Sequence, residues 1–581
     1  MSDHEFTVGI GGAAGDGIAS TENILARTCA RLGMQICAYN SYQSVIRGGH
    51  IWLRMRAAEK KIQNHGDHLT MSIALNQDAL NKHNAEVNEG GYILYNSDRF
   101  NIDGLEMKKD VDAIGIPVKE ISAPFGGKPL MQNTVALGAA VHLLGLELDV
   151  AIKVVADIFS HKGEKVISTN QELLRAGYEF VQGKASPLGV KWEFSRKSRP
   201  VITGNEAIAM GAAAAGCKFY AAYPMTPASS VLHWMAGHAD KLGIAVKQAE
   251  DELAVANMTI GAGYAGVRAM CATSGGGFAL MTEAIGMAGM IEAPCVFVEV
   301  QRGGPSTGLP TKTEQGDLNQ VYGASQGDYP RIILAPTSVM DMFDSAPEAF
   351  NLADRYQCPV IVLSDLYLSE HDETVDIEDF NFEPEIDRGL LVNGAPTNGN
   401  GYERYAQTDT GVSPRALPGN PGTLHVAGTD EHNERGDLIS DVNTDPATRI
   451  RMMDKRERKI RRALKDLPAP TLHGPADAPV TLIGWGSSLG LIREAMELLE
   501  KEGIKTNHLQ IKYIHPFHTE EVSQILSNCK KTVMIETNFS GQFERHLRAE
   551  TGISVDAHIR KYDGEPIEPL FIVEHIKEIL S

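Results

Sequence analysis

Between residues 202 and 366, short apolar runs suited to strands recur with helix-like stretches between them, and polar or glycine-rich loops follow directly on several of the runs. Strands that alternate with helical patterns point to a parallel sheet with helices packed on its faces, because each parallel pair needs a crossover. The runs fall near residues 219–222, 244–248, 268–272, 295–300, 332–334 and 360–363. In an open parallel sheet the carboxyl ends of the strands lie on one side, where ligands bind. The loops after the strands are Tyr223-Pro224-Met225-Thr226-Pro227, Glu250-Asp251-Glu252, Thr273-Ser274-Gly275-Gly276-Gly277 and the stretch from Gln301 and Arg302 to Thr311. They are far apart in sequence but are expected to converge on one crevice.

The chain has 581 residues, room for about three to four domains. Its start reads as a βαβ unit: a strand over 6–10, a glycine-rich turn, a helix over 18–32 and a strand over 34–39. Further apolar runs at 72–75 and 91–95 and a helix over 134–146 continue the alternation, giving a first domain over 1–185. Residues 183–200 have the polar, basic composition of a linker. A second domain covers 200–445, with a long excursion from about 370 that is rich in Gly, Pro, Asn and Asp, unusual enough to be functional or to wrap a partner. A basic helix over 449–467, including Lys455, Arg456 and Lys459, is expected to dock on an acidic face. After Pro468-Ala469-Pro470 a third domain over 470–581 opens with strands at 480–485, 508–511 and 532–536. The fold class is α/β, in three α/β domains.

With 54 basic and 74 acidic residues the net charge is -20, which disfavours nucleic acid and anionic membranes as partners. The composition, 43% hydrophobic and 22% charged, is that of a folded soluble protein. The seven cysteines are scattered without a CxxC pair, so local spacing supplies neither a disulfide framework nor an iron–sulfur or zinc site. There is no signal-peptide pattern at the start and no apolar run long enough for a membrane helix, so a cytoplasmic protein is expected.

In the crevice, Arg302 among glycines and threonines suits a carboxylate, which a guanidinium binds in a bidentate manner. Glu252 opens an apolar helix, where a carboxylate is also explained by the macrodipole alone. Thr273 and Ser274 can equally be ordinary caps. The N-terminal glycines, Gly9, Gly11, Gly12, Gly15 and Gly17, sit between a strand and a helix. Ala14 stands where a dinucleotide fingerprint needs its third glycine, and the next strand ends in Tyr39-Asn40 rather than an acidic residue, so an NAD-dependent dehydrogenase is the weaker alternative. Gly15-Asp16-Gly17 also lacks the downstream Asn-Asn pair of a thiamine diphosphate magnesium motif, and a diphosphate site there is rejected.

The motif Tyr223-Pro224-Met225-Thr226-Pro227 resembles the Y-P-I-T-P signature of the α subunits of 2-oxoacid:ferredoxin oxidoreductases. Glu250-Asp251-Glu252 with Ala254, and the stretch from Arg302 through Pro305-Ser306-Thr307-Gly308 to Pro310-Thr311, resemble the same family. The resemblance spans the chain: a γ-type domain with Arg47-Gly48-Gly49, a pyrimidine-binding domain, and a transketolase C-terminal-like end with Gly484-Trp485-Gly486 and His515-Pro516.

The resemblance implies half of a thiamine diphosphate site. Cofactor contacts would come from Tyr223, Pro224, Thr226, Glu252, Ser274 and Gly275, with Glu252 bonded to the pyrimidine. Glu252, Thr226 and Arg302 would carry catalysis; Thr226, Arg302, Thr311 and Lys312 would bind the 2-oxoacid. Coenzyme A would meet Gly12, Gly15 and Arg47, while a tight turn with a packing role explains those glycines as well. A separate β subunit would hold Mg2+ and a [4Fe-4S] cluster, ferredoxin would accept the electrons, and the assembly would be an (αβ)2 heterotetramer. The fused γ-type domain favours 2-oxoglutarate over pyruvate or branched-chain 2-oxoacids. A non-catalytic interaction subunit is the competing class.

Overall fold

The computed structural model describes residues 4–14, 17–42, 48–126, 132–393, 401–439 and 445–581. They form two compact units, Met1–Thr203 with Glu370–Asp379, and Gly204–Ser369 with Phe380–Ser581. Both are α/β.

The first unit is built on an eight-stranded sheet. Asp112–Ile116, Val87–Asn96, Leu69–Ala74 and Glu5–Ala14 run parallel. Gly48–Ala58, Gln35–Ser41, Asp372–Thr374 and Val201–Thr203 continue the sheet antiparallel. The expected helix follows the first strand, as Ile18–Leu32, but the next strand does not pair with the first. Gly48–Ala58 lies between them, antiparallel to both, with Ala58 opposite Glu5 on one side and Gln35 on the other. The βαβ unit is therefore split.

The inserted strand also explains the glycines. A Cβ on Gly9 would lie 2.0 Å from the Trp52 ring, and one on Gly11 would lie 3.0 Å from it. The glycine run thus continues the strand to Ala14, with Gly12 paired to Ile51 rather than placed in the expected turn. Gly15 and Arg47 lie outside the described residues.

Residues 183–200 contain no helix or strand, yet they do not behave as a free linker. Trp192 Nε1 donates to the Leu144 carbonyl at 2.8 Å and Ser195 Oγ to that of Gly33 at 3.0 Å, and Leu188 is buried. A linker's composition here pays out as a strap along the first unit's core.

The second unit holds a seven-stranded sheet in the order Tyr513–His515, Ile332–Leu334, Pro359–Asp365, Cys295–Gln301, Ala269–Thr273, Phe219–Ala222, Ala245–Gln248. All neighbours are parallel except Tyr513–His515, which runs antiparallel to Ile332–Leu334. A five-stranded sheet, centred on Val480–Trp485, and the parallel pair Leu391–Val392 and Arg415–Ala416 also belong to the unit. One core joins both sheets: Phe297, Ile333 and Ile361 cluster with Trp485, Ile511 and Phe543.

The basic helix, Pro446–Asp466, spends its charge on the chain's own carboxylates. Lys455 and Lys459, both buried, reach Glu292 at 2.6 and 3.0 Å, and Arg456 reaches Glu431 at 2.8 Å. Burial alone would raise the Glu292 carboxyl, but Lys455, Lys459 and Arg404 outweigh it and hold Glu292 well below the ordinary carboxylate range. The excursion is fastened in the same way: Arg404 donates to Gln357 Oε1 and to the Glu292 carbonyl, each at 2.8 Å, and Arg415 pairs with Asp354 at 3.1 Å. Among the described residues no helix is long and apolar enough to cross a membrane.

Candidate active site

The loop Tyr223–Pro227 leaves the carboxyl end of Phe219–Ala222. Buried Asn205 fastens it, donating from Nδ2 to the Pro227 carbonyl at 2.9 Å. Tyr223 and Pro224 are exposed, and Thr226 is half-buried. The next loop ends at Asp251, whose extended backbone and Oδ1 contact with the Ala254 amide, at 2.8 Å, cap the helix Glu252–Tyr264. This cap fixes Glu252 in the first turn and turns its side chain inward, 3% exposed, while Glu250 stays exposed.

Glu252 Oε1 is enclosed and has no hydrogen-bond partner. Burial, with a smaller push from Asp251, raises its pKa against its own backbone hydrogen bond. Opposite it, the helix Gly275–Met290 begins with glycines for a steric reason. A Cβ on Gly277 would fall 2.1 Å from Thr273 Oγ1 and 2.5 Å from Glu252 Oε1, and one on Gly275 would fall 2.4 Å from Asp317 Oδ2. Ser274 caps this helix by position only: its Oγ is buried and unpartnered. Two polar atoms, Glu252 Oε1 and Ser274 Oγ, thus stand buried and unsatisfied near bare glycine backbone.

Arg302 follows Cys295–Gln301 and donates from Nη1 to the Thr226 carbonyl, which joins two of the loops. It borders a cavity of about 670 Å³ with Gly275, Gly276, Glu314, Asp317 and Asn538 among its walls. Several amides brace this cavity. Gln320 Nε2 donates to the Gly275 carbonyl at 2.9 Å, Asn538 Nδ2 to that of Gln315 at 3.1 Å, and Gln542 Nε2 to that of Gly316 at 2.6 Å. The loop after Thr532–Glu536 therefore forms one wall.

Behind Arg302 lie acids. Glu299 is fully buried and neither carboxyl oxygen has a hydrogen bond of normal geometry. Burial first, then Asp317 and Asp365, push it well above the ordinary carboxylate range, while Arg302 opposes them. Burial also raises Asp317. The charge of half-buried Asp317 thus disfavours ionisation of Glu299. Glu314, on the cavity wall, is pushed up to about 7 by burial and by Asp317.

The structure brings together Thr226 with Arg302, and Glu252 with Thr273 and Gly277. Gly275 and Arg302 share the cavity; Glu252 is not on its wall. Thr311 is buried, and Lys312 is ion-paired with Glu565. Neither lines the cavity. Glu299, Glu314, Asp317 and Asn538 escaped the sequence reading. Glu299 carried a signal there, since a lone acid inside Cys-Val-Phe-Val-Glu-Val-Gln is an anomaly in a buried strand; Asn538 carried none.

Three family models match the chain: "Pyruvate ferredoxin/flavodoxin oxidoreductase" over residues 7–180, "Pyruvate flavodoxin/ferredoxin oxidoreductase, thiamine diP-bdg" over 210–410, and "Pyruvate:ferredoxin oxidoreductase core domain II" over 478–570. The 2-oxoacid:ferredoxin oxidoreductase 2 subunit alpha of Aeropyrum pernix is 31% identical, across 98% of this chain and 97% of the relative. The 2-oxoglutarate oxidoreductase subunit KorA of Mycobacterium tuberculosis is 31% identical, across 94% of this chain and 87% of the relative. A solved structure of 2-oxoglutarate:ferredoxin oxidoreductase from Magnetococcus marinus, with 2-oxoglutarate, coenzyme A and succinyl-CoA bound, matches at TM-score 0.92 and 34% identity over 100% of both chains. On these similarities, which run from end to end, the chain belongs to the α subunits of the 2-oxoacid:ferredoxin oxidoreductases.

Proposed function

We propose that this chain is the α subunit of an enzyme that oxidatively decarboxylates 2-oxoglutarate with coenzyme A. The products are succinyl-CoA and CO2, two electrons pass to ferredoxin, and the reaction is reversible. The observation that carries the reading is Glu252, a buried carboxyl whose Oε1 has no partner among the described residues. That atom and the unpartnered Ser274 Oγ fit the ring nitrogens of a heterocycle such as the pyrimidine of thiamine diphosphate. When bound, thiamine diphosphate supplies the nucleophilic carbon and the electron sink for loss of CO2.

The chain's own residues bind and orient. Glu252, whose pKa burial raises, would hydrogen-bond a ring nitrogen, and Tyr223, Pro224 and Thr226 would border the ring. Arg302, oriented by the Thr226 carbonyl, pairs with the carboxylate next to the keto carbon, with Thr226 and Thr311 as further hydrogen-bond partners. Lys312 is assigned to the distal carboxylate, which must compete with Glu565 for it. Coenzyme A is assigned to Gly12, Gly15 and Arg47. A β subunit supplies Mg2+, the diphosphate grip and the [4Fe-4S] cluster in a cytoplasmic (αβ)2 assembly. The domains assigned to these roles are 1–185, 200–445 and 470–581. The fused first domain and relatives named for 2-oxoglutarate support the substrate.

The test is viologen reduction by the native complex with 2-oxoglutarate, pyruvate and branched-chain 2-oxoacids, each with and without coenzyme A. Reduction that requires both 2-oxoglutarate and coenzyme A is expected. Equal rates with pyruvate overturn the substrate assignment, and no reduction by a cluster- and thiamine-loaded complex favours the interaction-subunit reading.

A further inference from the structure

A second cavity, of about 340 Å³, shares no lining residue with the one beside Arg302. Its floor is the end of the strand Thr506–Ile511, and its sides come from the segment after the basic helix and from the loop that follows Tyr513–His515. Pro468, Pro470, Ile511, Phe517 and Val522 make most of the wall apolar. The polar side chains on it are Thr471, Arg493, Gln510, Lys512, Tyr513 and His518.

Lys512 is already paired, with Asp341 at 2.6 Å and Glu348 at 2.9 Å. His508, next to Arg493, is held at about 3 by burial and by the Arg493 charge, so it is neutral at physiological pH. His518 is 5% exposed; its Nδ1 lies 3.5 Å from Glu521, and its Nε2 has no partner. Among the described residues Arg493 pairs with no carboxylate, and its Nη1 is enclosed without a hydrogen bond. Arg493 is thus, among the described residues, the wall cation that no carboxylate pairs, and His518 Nε2 is a second buried polar atom left open. An enclosed N–H without an acceptor is costly unless one meets it. Asp341 and Glu348 together outnumber the Lys512 charge by one, so a second negative charge on the ligand would meet no free cation here, which favours a monoanion over a phosphate dianion.

We propose that this cavity binds a small organic monocarboxylate. Its carboxylate meets the Arg493 guanidinium in a bidentate manner and accepts a hydrogen bond from His518, and its hydrocarbon part lies against Pro468, Pro470 and Phe517.

The test is calorimetric titration of benzoate into the native complex carrying wild-type chain, Arg493→Gln, His518→Gln or Arg302→Gln. Expected are binding to wild type and to Arg302→Gln, and a loss of about tenfold or more in Arg493→Gln, the loss that follows removal of a charge-assisted bond. His518→Gln, the milder change, weakens binding less and carries the test if Arg493→Gln does not fold. Inorganic phosphate is titrated in parallel. Undiminished binding in both Arg493→Gln and His518→Gln, binding lost only with Arg302→Gln, no heat with benzoate up to about 10 mM, or binding of phosphate alone would each overturn the proposal.

Discussion

Glu252 and Glu250 stand two positions apart, yet only the first is inside the protein, because the Asp251 cap fixes where the helix starts. Glu252→Ala should lower turnover about a hundredfold or more, the loss expected for an acid–base group; near-normal rates with viologen would refute its role. Glu314 gives a pH dependence. Its carboxyl is held at about 7 against an ordinary 4.5, so the fold favours the protonated form. The associated stability is complete below about 4.5 and is lost as pH rises through about 7. Above that pH the new negative charge shares a cavity with Arg302, so the KM for the 2-oxoacid should rise through pH 7, and Glu314→Gln should flatten that rise. Steady-state kinetics between pH 6 and pH 8 would decide it. The loops that hold these groups were legible from their position after apolar runs. Asp317 and Glu314 were not, because burial, and for Glu314 the neighbouring Asp317, gives them their character.

At the scale of elements, the apolar runs at 332–334, 480–485 and 532–536 coincide with the strands Ile332–Leu334, Val480–Trp485 and Thr532–Glu536. What local pattern could not convey was neighbourhood. Gly48–Ala58 separates two strands that are consecutive in sequence, and its place depends on Trp52 lying over glycines forty residues away in the chain's order. The basic helix is a similar case: its charge was visible, but its partner Glu292 was hidden at the end of another helix. Removing one partner of a buried ion cluster leaves the other charges stranded. Glu292→Gln should therefore destabilise the chain by about 3–5 kcal/mol, read as a lowered midpoint in urea denaturation. A change below about 0.5 kcal/mol would place the cluster among weak surface pairs.

For the whole molecule, the antiparallel seam between Tyr513–His515 and Ile332–Leu334 makes the last part of the chain structural for the middle sheet. A chain ending at Leu467 would bare Ile332, Ile333 and Leu334, now fully buried, along an open sheet edge. It should be recovered mainly in the insoluble fraction; a soluble, monomeric product by size-exclusion chromatography would show that the seam is dispensable. The first unit has the converse dependence. Asp372–Thr374 sits between Gln35–Ser41 and Val201–Thr203 in its sheet, so a growing polypeptide that has emerged only as far as Thr203 cannot close it. Domains finish as units, ordinarily from the N-terminus onward during translation. Here the ribosome must thread out most of the middle sheet before the earliest sheet receives its missing strand, and the nascent chain carries an unfilled pairing slot throughout that interval.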